Sequence, residues 1–411
     1  MRILIFTPYV TINSRPEFSK NKTGFGYMVY DIAHAVGEME RVDLFATDSR
    51  GEAFDIDGAH FLKRSFGLFL KSIFRCLSPI VVWRLWRQYH MSNGSLVRLI
   101  YYWLISGYVK GLFKCGRYDI VHIHGCGFAS ELWMQVCKNC GQKYVVTLHG
   151  LNSFTGAVRL EPAAKQYERD FLKRVVGGEI PITVISTGMK RMIEKTFDKI
   201  NCDNIFVVCN SFSFSNNASS GLSVREKYGI PSNAKVLLYV GNISENKNQL
   251  QMVKVFDLLS GELRNQTWVL FCGENHMGNN ISFEEAIKNS PNADHLVLCG
   301  GIRKELMSAY YEEADAVVLL SQTEGFGLSL IEGMHFGLPG LMFTDMDAYE
   351  DIYDANAVIG VADRTNQCVV DGIEQLLKGR WNKEVIKSCS ERFGCDMMAQ
   401  RYILVYKRIL A

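Results

Sequence analysis

Short apolar runs with high β propensity alternate with helix-forming stretches along most of the chain. This alternation constrains the fold more than any other feature of the sequence. The runs of the first half lie at residues 3–7, 42–46, 118–124, 144–148 and 182–185. Those of the second half lie at residues 236–240, 267–272, 295–298, 316–320 and 340–343. Strands that alternate with helices pair in parallel through crossover connections, so the sequence predicts an α/β fold.

A polar stretch rich in serine and asparagine, residues 211–221, interrupts this alternation. A chain of 411 residues also exceeds the ~250–300 residues that one hydrophobic core usually supports. We therefore predict two doubly wound, Rossmann-like domains, 1–212 and 213–392, followed by a terminal segment 393–411 with a helix at 397–410. Ligands of such sheets bind beyond the carboxyl ends of the strands, so we expect the site in the cleft between the domains.

The composition excludes several classes of protein. With 48% hydrophobic and 21% charged residues the chain is globular, neither disordered nor fibrous. The apolar run at 3–6 is too short for a signal peptide, and the longest apolar stretch, 99–109, is short of the ~20 residues of a membrane-spanning helix. Without a secretory signal, the twelve cysteines predict reduced thiols in the cytoplasm, and Cys137 and Cys140 are expected to be structural rather than metal-binding or redox-active.

Residues 61–117 form a basic aromatic segment, which contains ten lysines or arginines and no acidic residue. Three tryptophans and many other large apolar residues are interleaved with basic residues, among them Lys63, Arg64, Lys71, Arg75, Arg84, Arg87 and Arg98. This composition favours helices that lie at an anionic membrane interface, which would be the inner face of the cell membrane. The alternatives are core helices with solvated basic faces and a polyanionic ligand. A high apolar fraction argues against nucleic acid.

Residues 316–335 are predicted to form a strand, a glycine-rich turn and a helix. This arrangement presents backbone N–H groups to a phosphate. Glu324 lies in the turn and Glu332 in the helix, eight residues apart. Each carboxylate could accept hydrogen bonds from sugar hydroxyls. The alternative is a pair of surface glutamates that flank a tight turn.

The segment from Glu324 to Glu332 resembles the E-x7-E motif of a large family of retaining glycosyltransferases of the family-4 type, which have the GT-B fold and include bacterial polysaccharide and lipopolysaccharide enzymes. Ser321, the run Gly325, Phe326, Gly327 and Leu328, and the later Gly337-Leu-Pro339 extend the resemblance. It implies that Glu324 binds the transferred sugar and that Glu332 binds the ribose of the donor nucleotide.

Other segments of the second half share the resemblance. Gly241 and Lys247 stand where the family binds the donor diphosphate, while Asn242 replaces its usual arginine. Gly273 and Ile302 match positions near the nucleotide base. Lys247 on its own would be interpreted as a solvated surface lysine. The resemblance makes it a phosphate ligand.

The resemblance implies that the terminal helix, in segment 393–411, packs back on the first domain. In the first half, His149 belongs to a Thr-x-His-Gly segment whose histidine faces the donor sugar in the family. A histidine after a strand is more often structural, and only the resemblance favours a functional role. His122 and His124 are expected in the core. Gly24 and Gly26 occupy the position of the family's early glycine loop, before a helix predicted over residues 27–39.

The resemblance implies transfer of a sugar from a UDP- or GDP-linked donor to a glycan or lipid-linked acceptor, with retention of configuration. His149, Glu324 and Lys247 would be the catalytic residues. The family uses cationic side chains and a helix start rather than a metal ion, and Asp345 and Asp347 have only the spacing of a metal pair. A nucleotide-sugar-binding protein with weak or no turnover, and a sugar phosphorylase or epimerase on the same fold, remain alternatives.

Overall fold

The computed structural model consists of two compact units, Met1–Asn210 with Cys395–Ala411, and Ser211–Gly394. It describes residues 1–12, 14–15, 18, 24–47, 52–62, 67, 70, 72–115, 118–151, 153–154, 161–199, 202–212, 223–275 and 283–411. Lys63, Arg64, Lys71 and most of the polar stretch 211–221 lie outside the described residues.

The first unit contains an eight-stranded sheet in the order β3-β4-β2-β1-β5-β6-β7-β8, parallel except for the pair β3–β4. The strands are β1 (Arg2–Thr7), β2 (Arg41–Ala46), β3 (Phe54–Ile56), β4 (Ala59–Phe61), β5 (Ile120–His124), β6 (Tyr144–Leu148), β7 (Ile182–Val184) and β8 (Ile205–Val207). The helices are α1 (Gly24–Gly37), α2 (Ile80–Tyr89), α3 (Asn93–Cys115), α4 (Phe128–Asn139), α5 (Pro162–Val176), α6 (Thr187–Thr196) and the terminal α16 (Cys395–Leu410).

Helices cover both faces of this sheet, which explains why β1, β5 and β6 are buried along almost their whole length rather than at alternate residues. Phe6 of β1 stacks on Trp133 of α4 at 5.4 Å and meets Phe45 of β2 edge-on at 5.8 Å. From the terminal helix, the Tyr406 hydroxyl donates to His122 Nδ1 of β5 over 2.7 Å. The end of the chain is thus part of the core of the first unit.

The second unit contains a parallel six-stranded sheet in the order β11-β10-β9-β12-β13-β14. Its strands are β9 (Lys235–Val240), β10 (Thr267–Cys272), β11 (Leu296–Gly300), β12 (Ala316–Leu319), β13 (Gly340–Phe343) and β14 (Val358–Val361). Its helices are α7 (Val224–Tyr228), α8 (Gln249–Leu258), α9 (Gly261–Asn265), α10 (Phe283–Lys288), α11 (Met307–Glu312), α12 (Leu328–His335), α13 (Tyr349–Ile352), α14 (Asn366–Lys378) and α15 (Lys383–Ser390).

The predicted fold class, two parallel α/β sheets covered by helices, is confirmed. The predicted strands 144–148, 267–272 and 340–343 agree with β6, β10 and β13 residue for residue. The prediction omitted β3, β4, β8 and β14. Three of these are only three residues long, too short for a periodic pattern, and Asp57 and Gly58 join β3 to β4 with positive φ angles.

The early glycines do not form the predicted loop. Helix α1 begins at Gly24, three residues before the predicted start, so Gly24 and Gly26 both lie in its first turn. The reason is a close contact: a β-carbon at Gly26 would lie 2.1 Å from Thr11 Oγ1. Glycine therefore lets the start of α1 pack against the segment that follows β1.

The basic aromatic segment folds as α2 and α3, preceded by a 3-10 turn at Ile73–Arg75. Among the helices that the structure describes, none combines the length and the apolar character needed to cross a bilayer. Leu85 and Tyr89 bury one face of α2, whereas Ile80, Trp83 and Trp86 are exposed.

Candidate active site

The residues predicted in the second unit gather where the strand order reverses. Strands β9 and β12 are neighbours, and the chain leaves them in opposite directions across the sheet. A crevice opens beyond the carboxyl ends of two such strands, because their connections go to opposite sides. The loop after β9 carries Gly241 and Lys247, and the loop after β12 carries Glu324.

Lys247 and Glu324 form a direct ion pair between these two loops, from Nζ to Oε2. Ser321 Oγ donates to the same carboxylate oxygen over 3.2 Å. The lysine stem lies along Gly241, since a β-carbon there would be 3.4 Å from Lys247 Cε. The side chain of Lys247 is 25% exposed and that of Glu324 is 18% exposed, so a ligand can still reach both.

Asn246 fastens the two loops together and was not predicted. Its side chain accepts from the N–H and hydroxyl of Thr323 at 3.2 and 2.7 Å, and donates to the Thr323 carbonyl at 3.0 Å. Tyr239 adds a second link: its hydroxyl accepts from the Leu320 N–H at 3.0 Å and donates to the Lys247 carbonyl. The signal in the sequence was weak, because an asparagine between Glu245 and Lys247 reads as an ordinary loop residue.

The glycine turn leads directly into α12. Gly327 caps the helix with φ of 90° and ψ of 50°, a left-handed conformation that favours glycine. The side chain of Phe326 is buried and meets Phe393 edge-on at 5.6 Å. A ligand at this turn could therefore use backbone groups of Gly325 to Leu328, but not the Phe326 ring.

Glu332 lies in the second turn of α12 and accepts a hydrogen bond of 2.6 Å from the Tyr311 hydroxyl. Burial and the neighbouring carboxylate raise the pKa of Tyr311, which keeps the phenol protonated as a donor. Tyr311 thus orients the Glu332 carboxylate. Sequence reasoning missed this partner because it lies on a different helix.

Of the other residues predicted in the second unit, Gly273 and Asn242 lie at the end of β9. A β-carbon at Gly273 would lie 2.1 Å from the Gly241 carbonyl oxygen, so only glycine fits between these strand ends. Buried Gln249 donates to the carbonyls of Gly241 and Asn242, both at 3.2 Å. The Asn242 side chain is exposed, and Ile302 lies half-buried in the loop after β11.

Asp345 and Asp347, which have the spacing of a metal pair, differ in environment. Asp345 forms an ion pair with Arg364 at 2.7 Å, and Arg364 also donates to the carbonyls of Ser321 and Gln322. Burial and the charge of Asp345 raise the pKa of Asp347. In the described part of the chain, no three His, Cys, Asp or Glu side chains form a group that could hold a metal ion.

In the first unit, His149 follows β6 and lines a cavity of about 450 Å³. Its Nε2 lies 2.9 Å from Nδ1 of His124, and Phe25 of α1 meets the ring edge-on at 4.8 Å. Burial lowers the pKa of His149 to about 4 and that of His124 well below its usual value, so both rings are neutral at pH 7.

Geometry favours one tautomer of this histidine pair. Nε2 of His124 is buried without a hydrogen-bond partner among the described residues. A buried N–H without an acceptor costs more than a buried lone pair without a donor. His124 should therefore carry its proton on Nδ1 and donate it to His149 Nε2. His149 then carries its own proton on Nδ1 and presents a donor to a ligand.

Comparison with known proteins defines the class of this molecule. Its fold aligns with sucrose-phosphate synthase from Thermosynechococcus elongatus at a TM-score of 0.70, covering 99% of this chain and 98% of that chain at 14% identity. The protein is a glycosyltransferase with the GT-B fold. More particularly, residues 223–392 match the family described as glycosyl transferases group 1, and this region contains Gly241, Lys247, Glu324 and Glu332.

Two curated relatives extend over larger parts of the chain. The 2-deoxystreptamine N-acetyl-D-glucosaminyltransferase of Niallia circulans is 25% identical over 72% of this chain and 79% of its own length. The GDP-mannose:cellobiosyl-diphosphopolyprenol alpha-mannosyltransferase of Xanthomonas campestris is 25% identical over 54% of both chains.

Proposed function

We propose that this glycosyltransferase belongs to the retaining, family-4 type. It would transfer a sugar from a UDP- or GDP-linked donor to a glycan or lipid-linked acceptor in the synthesis of cell-surface polysaccharide. The observation that carries the proposal is the Lys247–Glu324 pair at the carboxyl ends of β9 and β12. A cation for a diphosphate and a carboxylate for sugar hydroxyls are the two groups that such a donor requires at its reacting end.

In the proposed reaction, the acceptor hydroxyl oxygen bonds to the anomeric carbon as the bond from that carbon to the diphosphate oxygen breaks. The hydroxyl proton passes to the departing diphosphate, so no nucleophile of the protein is needed. Negative charge develops on the diphosphate, where Lys247 and the backbone N–H groups of Gly325 to Leu328 would stabilise it. This role is supported by position: Lys247 lies in the loop after β9, and the N–H groups lie in the turn between the neighbouring strand β12 and α12.

Three side chains would position the donor. Glu324 accepts hydrogen bonds from hydroxyls of the transferred sugar, and His149 donates to that sugar from Nδ1. Glu332, oriented by Tyr311, accepts from the ribose hydroxyls. Gly241, Asn242, Gly273 and Ile302 would lie beside the diphosphate and the base, with Gly24 and Gly26 on the side of the phosphates and acceptor.

A thermal-shift screen with UDP- and GDP-linked sugars, followed by a transfer assay with the sugar that binds, tests this proposal. Glu332→Ala should weaken donor affinity about 10- to 100-fold, the range for a hydrogen bond to a charged group. Glu332→Gln, which can still accept from Tyr311, separates ribose binding from loss of that contact. Glu384→Ala removes an exposed carboxylate of α15 and serves as the control.

The outcomes of that screen separate the competing functions. Donor binding without transfer or hydrolysis, even with lipid-linked acceptors present, would indicate a nucleotide-sugar-binding protein. Turnover of a sugar phosphate, or epimerisation of the donor, would indicate a phosphorylase or epimerase. Unchanged donor affinity in Glu332→Ala together with unchanged turnover in Lys247→Ala would remove the site assignment.

We further propose that the basic aromatic segment holds the enzyme at an anionic membrane, at the inner face of the cell membrane. The Phe74 side chain is 96% exposed, and Ile80 and Trp83 are also exposed. On the same side of α2, the Arg87 guanidinium lies 5.2 Å from the centre of the Trp83 ring. Exposed aromatic and basic side chains on one helix face are the combination that binds the headgroup region of anionic bilayers.

Vesicle flotation tests the membrane contact. The protein should float with vesicles of phosphatidylglycerol and not with those of phosphatidylcholine. Arg84→Gln with Arg87→Gln should weaken binding ~30-fold, at about 1 kcal/mol per charge. The control, Arg303→Gln with Arg380→Gln, removes two exposed charges of the second unit and should leave vesicle binding nearly unchanged. Equal flotation of both double variants would contradict the proposal.

A further inference from the structure

Two cysteines of the second unit lie side by side at the carboxyl ends of β10 and β11. These strands are parallel neighbours, and an irregularity in their register places Cys299 as an extra residue opposite Cys272, the last residue of β10. The two thiols form a hydrogen bond with each other. Neighbouring strands are about 4.8 Å apart, and a disulfide needs Cα atoms about 4.4–6.8 Å apart. The pair is therefore placed for a covalent cross-link.

The two thiols differ in how far solvent can reach them. Cys272 is 3% exposed, whereas Cys299 is half-buried on β11, which lies at the edge of the sheet. A small dissolved oxidant therefore meets Cys299 first, with Cys272 behind it. An accessible cysteine beside a second thiol is the arrangement in which the first is oxidised and the second closes a disulfide.

Three side chains besides Cys272 form a polar cluster with the sulfur of Cys299. The Tyr228 hydroxyl donates to this sulfur, and the positive charge of Lys227 acts on it. Lys227 Nζ donates to the Tyr310 hydroxyl over 3.2 Å, and the hydroxyls of Tyr228 and Tyr310 lie 3.0 Å apart. The hydrogen bond from Cys272 is the largest of the influences that lower the pKa of Cys299, although burial acts in the opposite direction. The cluster therefore favours the thiolate, which is the reactive form of cysteine.

We propose that Cys272 and Cys299 are a dithiol modification site, which hydrogen peroxide converts into a disulfide. The Cys299 thiolate attacks one oxygen of the peroxide, the O–O bond breaks, and a sulfenic acid forms while hydroxide leaves and takes up a proton. The Cys272 sulfur then bonds to the Cys299 sulfur, and the hydroxyl group leaves as water with the Cys272 thiol proton. Two thiols are oxidised to one disulfide, and one peroxide is reduced to two waters.

The disulfide acts on the neighbouring donor site. Gly273 directly follows Cys272, and its N–H donates to the Gly300 carbonyl over 2.9 Å. A covalent bond in place of the thiol contact draws the ends of β10 and β11 together, beside the proposed base-binding residues Gly273 and Ile302. We expect oxidation to weaken donor binding about fivefold or more. This effect rests on the proposed function, whereas the formation of the disulfide does not.

Peptide mapping of the full chain tests the disulfide. The protein is treated with hydrogen peroxide, blocked with N-ethylmaleimide and digested with trypsin, which cleaves after Arg264, Lys288 and Arg303. The two peptides between these sites contain Cys272 and Cys299, respectively, and no other cysteine. Mass spectrometry should show the two peptides linked after peroxide and separate after dithiothreitol.

Substitutions assign the role of each thiol. Cys272→Ser should leave a sulfenic acid at Cys299 that dimedone traps, and Cys299→Ser should leave Cys272 reduced. Tyr228→Phe removes one hydrogen bond to the Cys299 sulfur and should slow the linkage about fivefold. Cys140→Ser removes an exposed thiol of the first unit and is the control, with an unchanged yield of linked peptides.

The wild-type protein alone can overturn the inference, even if a variant does not fold. Absence of the linked peptides, under conditions in which peroxide oxidises the exposed thiol of Cys140, would remove the disulfide. Oxidation of Cys299 no faster than that of Cys140 would contradict the reactive thiolate and overturn the site as well.

Donor titrations separate this inference from the proposed function. The nucleotide sugar found by the thermal-shift screen should bind the peroxide-treated wild-type protein about fivefold more weakly or less, with recovery in dithiothreitol. Cys299→Ser should bind it equally before and after peroxide. Linked peptides in a protein that binds no nucleotide sugar when reduced would support the dithiol site and contradict the function. Donor binding without linked peptides would do the reverse, and linked peptides with unchanged donor affinity would overturn the effect on the donor site.

Discussion

The two sheets reverse their strand order in the same way, yet the chemistry at their carboxyl edges differs. Beyond β1, β5 and β6 the first unit has neutral histidines, aromatic rings and the buried carboxylate of Glu168. Beyond β9 and β12 the second unit has glycine turns, a helix start and the ion pair of Lys247 with Glu324. One topology thus provides two kinds of binding surface.

The difference shows what each kind of ligand group requires. A phosphate can be bound by backbone N–H groups, so the chain must approach it closely and glycine is needed. A sugar ring has hydroxyls and C–H faces, which side chains rather than backbone groups recognise. We therefore expect substitutions at the carboxyl edge of the second unit's sheet to act on charge and backbone geometry. Substitutions at the carboxyl edge of the first unit's sheet should act on the orientation of side chains.

Lys247→Ala should have the largest effect. Loss of the cation beside the diphosphate should lower kcat about 100-fold or more, as for other groups that stabilise developing charge. Steady-state transfer assays measure this change. Lys378→Ala, which removes an exposed lysine paired with Glu374, is the control. A kcat for Lys247→Ala within twofold of the control would remove the proposed difference between the two edges.

Gly273→Ala should act on the backbone of the same edge. The new β-carbon would meet the Gly241 carbonyl 2.1 Å away, and such overpacking typically costs about 1–3 kcal/mol. The urea midpoint of the second unit should fall accordingly. Gly261→Ala is the control. Its new β-carbon would lie 3.9 Å from Arg264 Nη2, the nearest atom outside the adjoining residues, so the urea midpoint of this variant should not fall. Equal midpoints would show that the strand ends do not need this close approach.

His124→Phe tests orientation at the first edge. Without the His124 donor, His149 can change its tautomer, and we expect about a tenfold lower kcat, equivalent to one hydrogen bond. His124→Asn can place an amide donor near the position of Nδ1 and should restore most of that loss. Long-range ¹⁵N correlation spectra should show the proton of His149 on Nδ1 in the wild-type protein. A proton on Nε2 would contradict His124 as a positioning residue.

Acidification over the neutral range should produce the smallest of these effects, a small decrease in the free energy of unfolding. Burial lowers the pKa of His149 to about 4 and that of His122 to about 3, against 6.5 for an ordinary histidine. The unfolded chain then binds more protons below pH 6.5, so stability is fully present above this pH and falls toward pH 4. Between pH 7 and 6 the loss should be below about 1 kcal/mol per histidine. A urea midpoint that rises on acidification would contradict these neutral rings.

Sequence reasoning could predict what depends on local pattern. Uninterrupted apolar runs predicted the strands, because a sheet covered on both faces buries every side chain of its central strands. The strand, glycine turn and helix around Glu324 were predicted for the same reason, since each part has a local signature. The start of α1 was placed three residues late, because no local pattern reveals that Gly26 packs against Thr11.

Contacts between distant parts of the chain were decided by the tertiary structure alone. Lys247 meets Glu324 across 77 positions because β9 and β12 are neighbours in the sheet. Tyr311 reaches Glu332 across 21 positions, and Ser153 donates twice to Glu168 across 15 positions. The sequence by itself determined which chemical groups are present and which local structures carry them. Strand order and close packing decided which of those groups meet, because side-chain contacts of a few ångströms depend on where the backbone runs.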